Sequence, residues 1–348
     1  MLTVMIKASM GALILAASMT TGFSFNAHVP LGHGVQVVGA FSGPPSGPGP
    51  GTIVDWAVGQ STARIGSFAP SGTLEGNSFY VGYDIPRHEI FIPTEAGTTV
   101  VMKPGTLKPI ATFSSLPGGR LARVTPNHQM VLELSSTQIA AYSIRAGYSQ
   151  RFVDSVGGNA IVVSPNGHDA FVGGNMDSTI TEIALPSGRI IRHFSVPRSG
   201  DLVWAHGQIF SADIKTGVMT VLNPRTGTIT RIPTPEVDPS FSYSDIPAAN
   251  AGFMQLAVSP GQQYVYAAGF SGHILKFSAL TDTYLGEVPV RVNLQGLNQL
   301  SGLAVLPGGK TAVVTVENLK ETAVVELSSG KILRLLPHVA SNRWLVIR

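Results

Sequence analysis

The sequence predicts an all-β fold, a seven-bladed β-propeller of four-stranded antiparallel blades, on three observations. Two hairpin phrases alternate along the chain. Most neighbouring copies of one phrase lie about 40 residues apart, the length of a four-stranded blade. The second phrase occurs seven times and the first six, and the strands missing from the count stand at the two chain ends.

Bulk properties agree with many short strands. Of 348 residues, 44% are hydrophobic, enough for a packed core, and 39 Gly and 24 Pro are spread along the whole chain. Turn residues at that density punctuate strands. Charged residues make up only 12%, with a net charge of +3. Lys and Arg form no run in the sequence, which argues against a nucleic-acid partner. So low a charge density suits an acidic medium, where basic proteins otherwise repel themselves. Cysteine is absent. That excludes disulfides, thiolate-bound zinc or iron–sulfur centres, covalent c-type haem and a lipid-anchored bacterial N-terminus.

The elements follow in chain order. Lys7 precedes a run of small and apolar residues, ASMGALILAASM (8–19). It is too short to span a bilayer and reads as the core of a secretory signal over residues 1–24. No later stretch is apolar enough to cross a membrane. The mature chain is expected in the periplasm or outside the cell, with one propeller domain over residues 34–348.

GVQVVGAF (34–41) is the first strand, and GPPSGPGPG (43–51) a Pro-rich connector inside the same blade. Proline lacks the backbone donors of a phosphate loop, so this is not one. VGQSTARIGSF (58–68) is the first copy of the second hairpin. The pairs YDIPRHEIFIP (83–93) with KPGTLKPIATF (103–113), and VTPNHQMVLEL (124–134) with SIRAGYSQRFV (143–153), come next. VSPNGHDAFVGG (163–174) with ALPSGRIIRHFSVP (184–197), and LVWAHGQIFSA (202–212) with NPRTGTITRIP (223–233), continue the series. An inserted loop (236–250) separates these from VSPGQQYVYAAG (258–269) with SALTDTYLGEVPV (278–290). VLPGGKTAVVTV (305–316) with ELSSGKILRLLP (326–337) is the last pair. The second-hairpin turns fall at Gly59, Gly105, Gly147, Gly188, Gly227, Asp282 and Gly330. RWLVIR (343–348) then supplies the strand that the first blade lacks, closing the ring and removing its open edges.

VSPNGHDAFVGG, VLPGGKTAVVTV and NPRTGTITRIP resemble the YVTN-type propeller repeat of YncE-like exported bacterial proteins and surface-layer proteins. The likeness covers about residues 34–348. It implies architecture rather than activity, because these phrases are turn and strand chemistry. The resemblance allows a nucleic-acid partner, against which the dispersed charge argues.

In a propeller, loops between second and third strands, and those leading to the next blade, gather at one face. That rim is expected to hold Glu95, Asp177, Asp213, Asp245, His273, Glu317, Glu321 and His338, with Phe241 and Tyr243 from the insertion. Carboxylates, imidazoles and aromatics around a concave mouth suit a small ligand or a metal ion. His88, His128, His168 and His206 recur at first-hairpin turns on the opposite face, where turn solvation accounts for them. Imidazoles at His28, His33 or His338 suit copper, although no H-x-H or H-E-x-x-H spacing accompanies them. A metal ion is the one cofactor left open. No G-x-S-x-G elbow or Gly-rich phosphate loop occurs. The expected function is non-catalytic binding of a small ligand or a periplasmic protein partner at this rim. The alternative is a redox-associated propeller, either an accessory subunit of a dehydrogenase or a metal-dependent enzyme using rim histidines.

Overall fold

The computed structural model describes residues 34–41, 51–68, 78–174, 178–213, 215–238, 240 and 251–347. The expected signal segment, His28, His33, most of the Pro-rich connector, and the rim residues Asp177, Phe241, Tyr243 and Asp245 lie outside the described residues.

The strands sort into seven four-stranded antiparallel sheets, as the repeat spacing predicts. Blades two to seven each take four consecutive strands, over residues 82–114, 121–154, 160–194, 199–233, 253–289 and 300–336. Blade one draws on both ends of the ring. Its inner strand is Arg343–Val346, followed outward by Gln36–Phe41, Thr52–Ala57 and Arg64–Ser67. Val37 pairs with Val346 and Gly39 with Trp344, so the last strand completes the first blade.

The hydrophobic core is divided into seven clusters, and each joins two consecutive blades. Strand alternation causes this, since successive side chains point to opposite faces of a sheet. Val37 and Trp56 pack with Val313 and Leu336 of blade seven. Their neighbours Val38 and Ile53 pack with Ile90 and Ile92 of blade two. Inner and middle strands are therefore buried on both faces and read as near-continuous apolar runs.

Outer strands differ, with alternating exposure. Each carries a residue that discourages edge-to-edge pairing: Arg64, Pro109, Arg151, Arg192, Arg231, Glu287 or Arg334. Five arginines scattered in the sequence thus occupy one structural position. All seven expected second-hairpin turn residues have positive φ, from 53° at Asp282 to 106° at Gly59. Glycine and aspartate tolerate that region best, which is why those turns were readable.

The inner strands of blades five, six and seven each slip register near their start, at Ser199/Asp201, Phe253/Leu256 and Leu300/Leu303. A bulge re-aims side chains, and here it brings the polar Asp201 and Gln255 toward the last strand.

Candidate functional site

Antiparallel topology puts the second-to-third-strand loops and the blade-to-blade loops at the same end, as expected for the rim. The rim carboxylates fall into two kinds. Glu95 of blade two forms an ion pair with Arg120, and Asp213 of blade five one with Arg198 at 3.1 Å. Asp213 also accepts from the amides of Lys215 and Thr216, at 3.0 and 3.2 Å. These two acids brace loops. Glu317 opens a short 3-10 turn (Glu317–Leu319), and burial raises its pKa. His338 is exposed, in the left-handed region at φ 58°.

His273 stands in a longer chain of contacts on blade six. Glu236, at the start of the inserted loop, is 1% exposed. One carboxylate oxygen accepts from the Gly252 amide at 2.9 Å, and the other from the Ser271 hydroxyl. That hydroxyl lies 2.8 Å from His273 Nδ1. Because the Ser271 proton is given to Glu236, Nδ1–H is the donor to Ser271 Oγ. This fixes the tautomer and leaves Nε2 to face Glu287. Nε2 is 3.9 Å from Glu287, whose other oxygen accepts from the Tyr284 hydroxyl at 3.1 Å. Burial raises the pKa of Glu236, and the Glu287 charge adds to the rise, while the bonds from Ser271 and Gly252 oppose it. Gly269 makes room for this arrangement, since a Cβ there would meet Glu236 Oε1 at 2.3 Å.

A cleft of about 180 Å3 opens beside this chain, between the Ser271–His273 loop and the loop that leads to blade seven. Ser271, His273, Val290, Arg291, Leu294 and Asn298 contribute to its walls. The second loop is held firmly. Asn298 accepts from the Asn293 amide at 2.8 Å and donates to the carbonyls of Asn293 and Gly296, at 2.8 and 3.0 Å. Val290 N donates to Gly272 O at 2.8 Å, and Asn318 of blade seven donates to Leu297 O at 2.8 Å. The cleft is therefore preformed by hydrogen bonds on both sides.

Side chains of several inner strands meet one another near where those strands begin. Arg343 pairs with Asp201, and Gln255 accepts from the amides of Leu303 and Trp344 at 2.7 and 2.9 Å. Arg123 lies over the Tyr80 ring, 3.5 Å from its centre. On the opposite face, His88 contacts the Tyr83 hydroxyl at 2.8 Å. His128 reaches the fully buried Asp84 of the neighbouring blade, also at 2.8 Å. His128 therefore does more than solvate a turn. His168 and His206 are exposed. Among the described residues, no group of three or more His, Asp or Glu is placed to hold a metal ion.

Sequence reasoning found His273 but missed Glu236, Ser271, Arg291 and Leu294. The start of the insertion at Glu236 was a usable signal. Its partners on blade six lie 35 residues away and share no motif with it.

No family model matches the chain, and no curated protein matches it. Solved structures do, among 1769 matching chains, so the fold alone cannot single out a function. One is hydrazine synthase from Kuenenia stuttgartiensis, with 11% identity and a TM-score of 0.65. The match covers 78% of this chain and 90% of that one. At such identity the likeness is one of fold: the chain shares the β-propeller architecture, and no chemistry crosses with it.

Proposed function

We propose that the protein is an exported, non-catalytic propeller of the YVTN type that binds a small ligand or a periplasmic protein through the rim at blade six. The observation that carries this reading is His273 on the wall of a preformed cleft, oriented through Ser271 by the buried Glu236. Structure alone does not require a buried carboxylate to orient a half-exposed imidazole, whereas recognition does. The volume of about 180 Å3 falls below the roughly 300–1,000 Å3 of drug-sized sites, so it suits a small ligand or the end of a larger one. In this reading the Ser271 hydroxyl, bonded to both Glu236 and His273, is a positioning group. Export rests on the apolar run behind Lys7.

Hydrogen exchange of the purified mature protein, with and without the small-molecule fraction of a periplasmic extract, tests the reading. Protection is expected in residues 270–273 and 290–298. Protection confined to the turns at 125–129 and 164–168 contradicts it. Cell fractionation tests export, and retention in the cytoplasm contradicts that part.

A further inference from the structure

We infer that the blade-six cleft takes an anionic ligand with a short apolar body, its carboxylate or phosphate-monoester head held by Arg291 beside His273. This rests on the rim reading above and adds the chemical class.

The inference comes from which charges around the cleft are already satisfied. Glu236 accepts from Gly252 and Ser271, and Glu287 accepts from Tyr284 and faces His273. The rim cations Arg120 and Arg198 are paired with Glu95 and Asp213. Arg291 is different. It is exposed on the cleft wall and has no ion-pair partner among the described residues. An available guanidinium with five fixed donors matches a carboxylate or phosphate in two-point contact. Both oxygens of Glu236 and one of Glu287 already accept hydrogen bonds, which leaves the Arg291 guanidinium as the least satisfied charge on the cleft wall. His273 lines the same cleft, its ring held at Nδ1 by Ser271.

The apolar half of the ligand follows from Leu294, which at 72% exposure is the most exposed of the large hydrophobic residues described. Pro289 and Leu297 border the same cleft, so Leu294 has apolar neighbours there rather than standing alone. The loop hydrogen bonds of Asn298 hold Arg291 and Leu294 on one short segment, where a head and a short chain reach both.

The test uses hexanoate and hexyl phosphate, with hexanol and hexylammonium as neutral and cationic controls, followed by amide NMR shifts of the full chain. Saturable shifts are expected at Ser271, His273 and residues 291–294 with at least one anion, and binding about tenfold weaker or more for both controls. Arg291→Ala should weaken anion binding about tenfold, and Arg291→Lys should restore part of it. Leu294→Ala should weaken every probe without changing the preference for anions. Equal binding of hexanol or hexylammonium at these resonances overturns the anionic class while leaving the rim reading standing. Absence of shifts with both anions also overturns the class. The rim reading is then decided separately, by the exchange footprint.

Discussion

Arg343, on the last strand of the chain, forms an ion pair with Asp201 on the inner strand of blade five, two blades beyond its neighbour blade seven. Arg343 also donates to Gly200 O at 3.0 Å, and Asp201 accepts from the amides of Leu202 and Leu256 at 2.9 and 2.8 Å. The strand that completes the first blade therefore also ties across the ring.

Removing one partner should be costly because Asp201 is 1% exposed and would keep a buried charge. Arg343→Ala is expected to lower stability by about 3–5 kcal/mol in urea denaturation. The double replacement Arg343→Met with Asp201→Leu should cost less than either single loss, since no charge is stranded. A loss well under 1 kcal/mol for Arg343→Ala would mean the pair does not brace the ring.

Deleting residues 343–348 should act far more severely. It removes the buried Trp344, strips Gln255 of its bonds to that strand, and leaves Gln36–Phe41 as an open edge. The expected loss is comparable to a domain's whole net stability, roughly 5–15 kcal/mol. Soluble expression with an unchanged melting temperature would contradict this.

Stability should fall as pH rises from acid to neutral. Glu133 is fully buried, and burial pushes its pKa up from 4.5 to about 7, against the opposing bond from Thr99. A raised carboxyl pKa means the folded state holds a proton that the unfolded state releases. The contribution is complete below pH 4.5 and is lost as pH rises through about 7, amounting to about 3 kcal/mol. Glu236 and Glu317, also raised by burial, add in the same direction. Glu133→Gln should flatten the pH dependence of the melting temperature and stabilise the protein at pH 8. An unchanged slope would show that Glu133 does not carry it.

Gly269→Ala is expected to displace the Glu236 carboxylate, because the new methyl would overlap it. The strain should cost about 1–3 kcal/mol. The His273 ring signals should shift as the Ser271 contact loosens. An unshifted ring would separate His273 from Glu236.

Turn chemistry and alternation made most of the fold legible. Gly105 and Asp282 sit at turns that have positive φ, and RWLV at the end has the apolar strand pattern expected of a blade strand. The site was less legible because its partners meet across loops. Nothing in the sequence spacing of Glu236 and Ser271 announces a contact, and nothing in VLEL marks Glu133 as buried. Blade packing on both faces buries it instead. Glu95 and Asp213 were found as rim residues, but their arginine partners lie on loops leading from or into the same blade, 25 and 15 residues away.

The central claim is that recognition occurs at the blade-six cleft rather than at the histidines of the opposite face. It is tested most directly by hydrogen exchange on two double variants, each with and without the periplasmic small-molecule fraction. One is His273→Ala with Arg291→Ala. The other is His168→Ala with His206→Ala, chosen because both are exposed, whereas His128 braces Asp84. The account predicts that ligand-dependent protection of residues 270–298 disappears in the first variant and persists in the second. Protection that persists in the first variant and disappears in the second would contradict it.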